Sequence, residues 1–497
     1  MKVNVVPIEL HKKYADTIIV LCCEDGECVG DIECISMEAV ERFRYLITNS
    51  EFKCKKGETV SINLASVEKP NKIIFVSVGK REEIDVETIR RAFSVAIREA
   101  NKLSSKLVEV SAVNIDCKLS SNDYVTGIVE SALLSNYSFD KYLNNKPYKS
   151  VESLDLIVNN EQLDEIKGNC KESIILAEST LLARDLVNEP ANYLTPKILA
   201  EKAINIADEE LLDVGVFGED DIIKLNMQAF LEVAKASINS PKLIVMRYHG
   251  NSDNSQTIGL IGKGITYDSG GLTLKGKKNL INMKHDMAGA ASVIAVMSAI
   301  SRMRLKINAV GIIAACENML SPNGYKPGDI INSMAGKTIL ITSSDAEGRL
   351  TLADAIHYGI EKEGIDKIID IASLTGGARL TLGDVATAVL SNDDELVDKL
   401  NNASEISGEK FWRLPMFEDY RKLISCDVAD LVNSSEDDGA KAIVGGMFIS
   451  EFTQNKPWLH MDIAGTCWSN KEINYLSKGG TGVVVRSLYY LLKNFNL

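Results

Sequence analysis

The feature that most constrains the fold is a regular alternation of strand and helix patterns from residue 196 onward. Helical patterns occupy 286–302 and 348–362, and in the second of them Leu350 and Ala353 share one face with Ile356. Short runs rich in Val and Ile, bounded by turn residues, predict strands at 242–248, 257–265, 307–317, 338–342, 367–374 and 458–464. This alternation predicts an α/β fold with a mainly parallel central sheet covered by helices.

The length of 497 residues predicts two domains, because a chain of this size exceeds one ordinary core. The first part carries its own α/β pattern, with strands at 17–23, 60–66 and 72–79, a helix at 85–103 and a longer helix from about 160 to 187. We therefore predict three regions. They are a small N-terminal α/β domain at 1–160, a connecting helix and loop at 161–195, and a larger α/β domain at 196–497.

Charge and composition narrow the class of protein. The formal net charge is −14, from 69 acidic and 55 basic residues, which argues against broad adhesion to nucleic acid or anionic membranes. The first residues, MKVNVVPIELHKKY, lack the apolar region of a signal peptide. The apolar runs stay below the ~18 residues of a membrane span. Ten cysteines in so long a chain fit reduced thiols. We expect a soluble, cytoplasmic protein with no membrane partner.

Charged residues gather where the predicted strands end. The strand GLIGKGI leads into TYDSGG, the segment MKHDMAGAA precedes a helix, and TILIT leads into SSDAEGRL. In open α/β sheets, ligands bind outside the carboxyl ends of the strands. The charged side chains at these positions are Lys263, Asp268, Asp286, Asp345 and Glu347.

Each of these residues also has an ordinary structural interpretation. Asp286 is a candidate helix N-cap, Asp268 a turn aspartate, and Asp345 and Glu347 solvated acids in a first helical turn. The lysines could lie on the surface. Together, however, four carboxylates on one rim of a sheet repel one another unless a cation is present. Oxygen ligands suit Mn²⁺ or Mg²⁺ and, with a nitrogen donor, Zn²⁺, and such a set suits two ions about 3.5–4 Å apart.

Other catalytic signatures are absent from the sequence. There is no G-x-S-x-G nucleophile motif and no H-E-x-x-H zinc motif among the five histidines. Tyr267 stands where a dinucleotide fingerprint needs its third glycine, and Ile331 stands where a phosphate loop needs its first. These absences leave a carboxylate-rich metal site as the strongest prediction.

Three segments resemble the leucine aminopeptidases, the cytosolic leucyl aminopeptidase family. They are IGKGITYDSGG (261–271), MKHDMAGAA (283–291) and SSDAEGRL (343–350). The resemblance covers essentially all of 180–490 in the same order, with further matches such as RDLVNEPANYLTP and PWLHMDIAGTCW. It implies a metalloaminopeptidase that removes the N-terminal residue from peptides, and it makes the larger domain the di-metal catalytic domain.

The resemblance also implies a role for each site residue. Asp268 and Glu347 would bridge two divalent ions, Mn²⁺ or Zn²⁺. Lys263, as a neutral amine, and Asp286 would complete one site, and Asp345 the other. The resemblance further implies that Lys275 is the electrophile beside the scissile carbonyl and that Arg349 holds a bicarbonate ion acting as general base. The implied partners are peptides with a free N-terminus, and the implied assembly is a homohexamer.

The pocket for the first side chain is predicted from Met283, Ser373, Leu374 and Gly376. Two departures from the family pattern affect this region. Ser343-Ser344 replace the usual Asn-Thr, and the segment at 433–446 carries the acidic residues Glu436, Asp437 and Asp438. The preferred N-terminal residue and the native metal pair therefore stay open. Two other functions also stay open, a DNA-binding regulatory protein and a two-metal phosphoesterase.

Overall fold

The computed structural model divides into two compact units. The first comprises Met1–Glu178 with Lys471–Ser477, and the second comprises Ser179–Asn470 with Lys478–Leu497. No helix among the described residues is both long enough and apolar enough to span a bilayer. The structure describes residues 1–10, 15–30, 35–64, 70–145, 151–209, 212–253, 256–435, 437 and 439–495.

The first unit is a six-stranded sheet with helices. Its strands are β1 (Lys2–Pro7), β2 (Thr17–Cys23), β3 (Thr59–Asn63), β4 (Lys72–Gly79), β5 (Leu107–Ser111) and β6 (Ser153–Val158). Its helices are α1 (Met37–Thr48), α2 (Val86–Lys102), α3 (Ser121–Ser135) and the start of α4 (Leu163–Asn188).

The sheet of the first unit has the strand order β1-β6-β5-β2-β4-β3, and only β3 runs antiparallel to its neighbour. Helix α2 buries the predicted apolar stripe, including Ile89, Phe93 and Ile97. This agrees with the helix predicted at 85–103. The small α/β domain expected from the sequence is therefore confirmed.

The second unit contains the remaining elements. Its helices are the end of α4, then α5 (Pro196–Glu209), α6 (Glu219–Lys224), α7 (Gln228–Ala234), α8 (Lys277–Leu280), α9 (Ala288–Met303), α10 (Gly348–Glu363), α11 (Gly376–Leu382), α12 (Asp394–Ser407), α13 (Lys441–Ser450) and α14 (Val485–Lys493). Its strands are β7 (Asp213–Phe217), β8 (Lys242–His249), β9 (Thr257–Asp268), β10 (Asn308–Asn318), β11 (Ile330–Asn332), β12 (Thr338–Leu340), β13 (Lys367–Ala372), β14 (Thr387–Ser391), β15 (Phe411–Arg413), β16 (Leu431–Val432), β17 (Trp458–Asp462), β18 (Trp468–Ser469) and β19 (Gly479–Gly480).

The main sheet of the second unit has the strand order β15-β14-β17-β13-β9-β10-β8-β7. Its four central strands, β17, β13, β9 and β10, are parallel to one another. The mainly parallel sheet predicted from the sequence is thus confirmed. Towards the edges the direction reverses, since β8 is antiparallel to β10, β7 to β8, and β14 to β17. The strand patterns alone do not encode these reversals, because pairing direction depends on the connections.

One buried carboxylate ties the helix after the candidate site to its surroundings. Asp354 on α10 is fully buried, and its two oxygens accept hydrogen bonds from the backbone amides of Phe230 at 3.0 Å and Met334 at 2.8 Å. Burial raises the pKa of Asp354 to about 7. Above that pH the carboxylate presents two acceptor oxygens to two separate backbone donors.

We expect Asp354→Asn to lower the free energy of unfolding by about 1–3 kcal/mol, because the new NH₂ group would leave one buried amide unsatisfied. Urea denaturation at pH 8 measures the change. Asp366→Asn is the control, since Asp366 also accepts from a backbone amide, that of Thr257, but its side chain is 43% exposed. An equal loss in both variants would contradict this account of Asp354.

Candidate metal centre and active site

The predicted charged residues meet at the carboxyl ends of the central strands. Lys263 lies within β9 and Asp268 ends it, while Asp286 lies just before α9. Asp345 and Glu347 lie in the connection from β12 to α10. The end of β9 lies at the carboxyl rim of the main sheet. The strand predicted at 338–342 does not join that sheet, because the observed β12 belongs to a separate three-stranded sheet of order β11-β12-β16. The loop after β12 brings Asp345 and Glu347 to the same rim.

Two glycines allow helices to approach Lys263 closely. A Cβ atom on Gly289, in the first turn of α9, would lie 2.0 Å from the carbonyl oxygen of Ile371. A Cβ atom on Gly348, the first residue of α10, would lie 2.5 Å from Cε of Lys263. Any larger side chain at either position would push a helix away. These glycines set the distance between the helix starts and the lysine.

The side chains form a compact, buried cluster. Each of Asp268, Asp286 and Glu347 offers a carboxylate oxygen within 4.8 Å of the others. Among the described residues, these three side chains form a group that could hold a metal ion. Nζ of Lys263 lies 2.8 Å from Oδ2 of Asp286 and 2.8 Å from Oε1 of Glu347. The exposure of these four residues is 4% or less. The predicted convergence of the acids is therefore present in the structure.

Lys275 closes the more open side of the cluster. Its Nζ lies 2.8 Å from Oδ2 of Asp268 and 2.5 Å from Oδ1 of Asp345. The side chains of Lys275 and Asp345 are 17% and 34% exposed, so this side of the cluster is accessible to solvent. A substrate group reaching the carboxylates from solvent would meet these two residues.

Negative charge exceeds positive charge in this cluster. At their ordinary ionisation, the four carboxylates (Asp268, Asp286, Asp345, Glu347) face two ammonium groups (Lys263, Lys275), which leaves a formal charge of −2. The Arg349 guanidinium, which is attracted to Glu347, still leaves one negative charge uncompensated. Such an excess in a buried site favours the binding of cations.

The pKa values reflect this crowding. Burial, with repulsion from Glu347 and Asp268, raises the pKa of Asp345 to about 6 against the attraction of Lys275. Burial also raises the pKa of Asp286 well above its usual range. Burial opposes the charge of Lys263, but Asp286 and Glu347 outweigh it and raise the pKa of the lysine. Without a bound cation, Lys263 is therefore an ammonium ion.

Several polar atoms of the site lack hydrogen-bond partners. Oε2 of Glu347 is buried and accepts no hydrogen bond from any described residue. Nε of Arg349 is likewise buried without a described acceptor, although Nη1 of the same side chain donates to the carbonyl oxygen of Asn433 at 2.7 Å. Burial lowers the pKa of Arg349 to about 10, so it stays charged at neutral pH. The unpartnered carboxylate oxygen of Glu347 favours the binding of a cation, and the unpartnered guanidinium nitrogen of Arg349 favours the binding of an anion.

The four pocket residues predicted from sequence have different positions. Ser373 joins the cluster, because its carbonyl oxygen accepts from Lys263 at 3.1 Å and its hydroxyl donates to Oδ1 of Asp286 at 2.8 Å. Leu374 follows it, and Gly376 is the exposed first residue of α11. Met283 is partly buried and begins the short 3-10 turn before Asp286.

The ordinary structural interpretations of these acids, as helix caps, turn residues or solvated acids, agree with the structure to different extents. Asp286 does not cap α9, because Met287 holds that position and no side-chain capping bond forms. Glu347 is not a solvated acid, since it is 1% exposed. The turn interpretation of Asp268 is partly right, because its Oδ1 accepts from the amide of Gly270 at 2.8 Å. The same oxygen also accepts from Asn318, so the turn and the cluster share one carboxylate.

The residues that hold this cluster in place were not predicted from the sequence. Asn318 donates from Nδ2 to Asp268 at 2.8 Å and to the carbonyl oxygen of Ser344 at 3.0 Å, and Tyr325 donates to that same carbonyl at 2.8 Å. Asp462 accepts from the backbone amide of Leu374 at 3.1 Å. Asn318 lies directly opposite Asp268 in the β9–β10 pairing. A correct prediction of that register would therefore have identified Asn318 as a neighbour of Asp268.

The fold and the cluster together define an α/β protein with a buried lysine–carboxylate centre of the kind that binds metal ions at the carboxyl rim of its sheet. The chain belongs to the cytosol aminopeptidase family. The sequence pattern of that family's catalytic domain matches residues 181–489, and the pattern of its N-terminal domain matches residues 19–146. The protein is therefore an enzyme, a peptidase of the hydrolase class.

Two curated relatives illustrate this membership. A probable cytosol aminopeptidase of Clostridium perfringens is 46% identical over 458 residues, covering 91% of this chain and 92% of the relative. Another, of Alkaliphilus oremlandii, is 40% identical over 498 residues, covering 99% of both chains. The solved structure of the bottromycin maturation enzyme BotP in complex with Mn is similar in fold, with a TM-score of 0.86 and 28% identity over 97% of this chain and all of that chain.

Family membership confirms the resemblance inferred from the three segments, and it does not favour the DNA-binding or phosphoesterase alternatives. The family is metal-dependent, which agrees with the carboxylate cluster. Of the acidic residues in the departing segment, Glu436 and Asp438 lie outside the described residues. Asp437 is exposed, and its amide donates to Oγ of Ser435 at 3.1 Å.

Proposed function

We propose that the protein is a cytoplasmic metalloaminopeptidase that uses two divalent cations to hydrolyse the N-terminal residue from peptides. The observation that carries the proposal is the excess of carboxylates over ammonium groups in a buried cluster at the sheet rim. The complex of BotP with Mn supports the proposal of a manganese-type site, since BotP has a similar fold. Mn²⁺ or Zn²⁺ would suit this set of oxygen and amine donors.

The donors divide into two sets. Asp268 and Glu347, the most buried acids, would bridge both cations. Lys263 and Asp286 would complete one site, and Asp345 would complete the other. Lys263 must lose its proton to act as a ligand, and a dication supplies the positive charge that lowers the pKa of a neighbouring group. In the metal-free protein, the ammonium group of Lys263 lies 2.8 Å from two carboxylates and supplies part of the positive charge that the cations would otherwise provide.

When bound, divalent cations supply Lewis acidity and acidify bound water, which makes hydroxide available near neutral pH. The residues of the chain provide the rest of the chemistry. The carboxylates raise the pKa of Lys275 in spite of its burial, so this partly exposed ammonium is charged and can donate to a developing oxyanion. The Arg349 guanidinium, with its buried Nε free of any described acceptor, would hold a bicarbonate ion beside the site as general base.

Substrate selection would depend on the rim of the cluster. We assign the pocket for the first side chain to Met283, Ser373, Leu374 and Gly376. Ser373 connects this pocket to the centre, because it contacts both Lys263 and Asp286. Free α-amines would be selected since a neutral amine can ligate a cation whereas an amide nitrogen cannot. The assembly we propose is a homohexamer, which light scattering coupled to gel filtration would test.

The function is tested with metal-depleted protein. We expect negligible hydrolysis of Leu-amide after EDTA treatment and dialysis, and recovery of turnover when Mn²⁺ is added. N-acetyl-Leu-amide is the matched control, because its amine is blocked while its scissile bond is unchanged. Equal activity with and without EDTA, or equal hydrolysis of the two substrates, would contradict the proposal.

A further inference from the structure

One asparagine outside the charged cluster contacts the loop that carries two of its acids. Asn433 follows β16, a two-residue strand that pairs in parallel with β12. The loop from β12 to α10 contains Asp345 and Glu347. Asn433 has no exposed surface. It is therefore fully shielded from solvent where it contacts the loop.

The side-chain amide of Asn433 bonds the loop through both of its polar atoms. Oδ1 accepts from the backbone amide of Thr342 at 2.9 Å, from the Thr342 hydroxyl at 3.2 Å and from the amide of Ser343 at 3.4 Å. Nδ2 donates to the carbonyl oxygens of Ser343 at 2.7 Å and Ala346 at 3.4 Å. The bonds begin before Asp345 and end at the residue preceding Glu347.

The main chain of the same residue fixes a second part of the site. Nη1 of Arg349 donates to the carbonyl oxygen of Asn433 at 2.7 Å. Arg349 is 5% exposed and lies two residues after Glu347, in the first turn of α10. Asn433 thus sets the position of the acid-bearing loop with its side chain and that of the arginine with its backbone.

We propose that Asn433 is a positioning residue that holds the Asp345–Glu347 loop in the geometry needed to bind cations, an inference that rests on the proposed function. An amide suits this place because the loop presents two N–H donors on one side and two carbonyl acceptors on the other. A carboxylate would keep the first set of bonds. It would turn an acceptor oxygen, with a negative charge, towards the carbonyls of Ser343 and Ala346.

Asn433→Asp is therefore the informative variant, and Asn308→Asp is its matched control. Asn308 makes the same kind of two-sided bond, accepting from the amide of Asn251 at 3.1 Å and donating to its carbonyl oxygen at 2.9 Å. It lies at the start of β10, at the opposite end of that strand from Asn318. Should Asn433→Asp fail to fold, Asn433→Ser takes its place, because a hydroxyl lacks the span to bond both sides of the loop.

The first measurement is hydrogen exchange on the metal-free protein, which requires neither metal nor substrate. We expect faster exchange in peptides covering 342–347 of the Asn433 variant and unchanged exchange there in Asn308→Asp. The second measurement follows the electron paramagnetic resonance signal of free Mn²⁺ during titration. Losing a hydrogen bond that orients a metal ligand from outside typically costs about 10–100-fold in metal affinity. We expect a weakening of that size for Asn433→Asp alone, with a lower kcat and a KM within about 3-fold.

Two outcomes would overturn the inference. One is unchanged exchange in 342–347, which would mean that the amide does not restrain the loop. The other is faster exchange with unchanged Mn²⁺ affinity and kcat, which would make Asn433 a purely structural residue. Failure of the proposed function has a different signature, namely a wild-type protein that neither binds Mn²⁺ nor hydrolyses Leu-amide while its loop is still protected from exchange by Asn433.

Discussion

Glu347→Gln is expected to abolish Leu-amide hydrolysis, lowering kcat/KM by at least about 10³-fold, or roughly 4 kcal/mol of transition-state stabilisation. Glu347 is 1% exposed, its Oε1 lies 2.8 Å from Nζ of Lys263, and its Oε2 has no described hydrogen-bond partner. Glutamine keeps the shape but removes the negative charge and replaces one ligand oxygen with an NH₂ group. The variant should therefore fail to bridge two cations while keeping its fold.

The measurements are steady-state kinetics with Mn²⁺, metal content after dialysis, and circular dichroism. Glu363→Gln is the matched control, because Glu363 ends the same helix and also pairs with a basic side chain, its Oε1 lying 2.6 Å from Nη2 of Arg247. We expect this control to retain activity within about 2-fold, as it lies far along α10 from the cluster. A fully active Glu347→Gln protein with two bound metal ions would refute the bridging role.

Lys275→Met is expected to lower kcat by about 10²–10³-fold with little change in KM, which is the pattern for an interaction made in the transition state. The ammonium of Lys275 lies 2.8 Å from Asp268 and 2.5 Å from Asp345, and its side chain is 17% exposed. It is thus charged and accessible at the open side of the cluster. Methionine retains most of the side-chain length but removes the charge.

Lys277→Met serves as the comparison for Lys275→Met. Lys277 is exposed, lies two residues further along the same segment and begins α8. We expect it to behave like the wild type in kcat, KM and Mn²⁺ content. If Lys275→Met raised KM and left kcat unchanged, the lysine would bind substrate rather than stabilise the oxyanion. If both kinetic constants stayed at their wild-type values, the electrophile assignment would be wrong.

The centre of the fold could be predicted from the sequence because parallel strands buried on both faces leave a strong local signal. The observed strands β9, β10 and β13 begin within one residue of the predicted ones. The short strands β11, β15 and β16, of three, three and two residues, carry no comparable signal. Their direction and pairing depend on connections that span many residues.

The charged cluster could be predicted for a related reason. Asp268 ends a predicted strand of the parallel sheet, and ligands bind outside the carboxyl ends of such strands. The strand before Asp345 and Glu347 was predicted correctly, but it lies in a separate three-stranded sheet, so the argument from one parallel sheet does not explain why these two acids join the cluster. The supporting residues could not be found in that way. Asn433 bonds a loop about 90 residues earlier in the chain, and Asp462 bonds the amide of Leu374, 88 residues away. Only the folded structure brings such pairs together, and an isolated Asn or Asp has many other uses.

The most direct test of the metal centre is anomalous X-ray scattering at the manganese edge from a crystal grown with Mn²⁺. We predict two peaks per subunit at the β9 rim, with oxygens of Asp268 and Glu347 within bonding distance of both. Lys263 Nζ and Asp286 should contact one of them and Asp345 the other. Anomalous density that is missing from this rim, or a single ion held by other residues, would contradict the account.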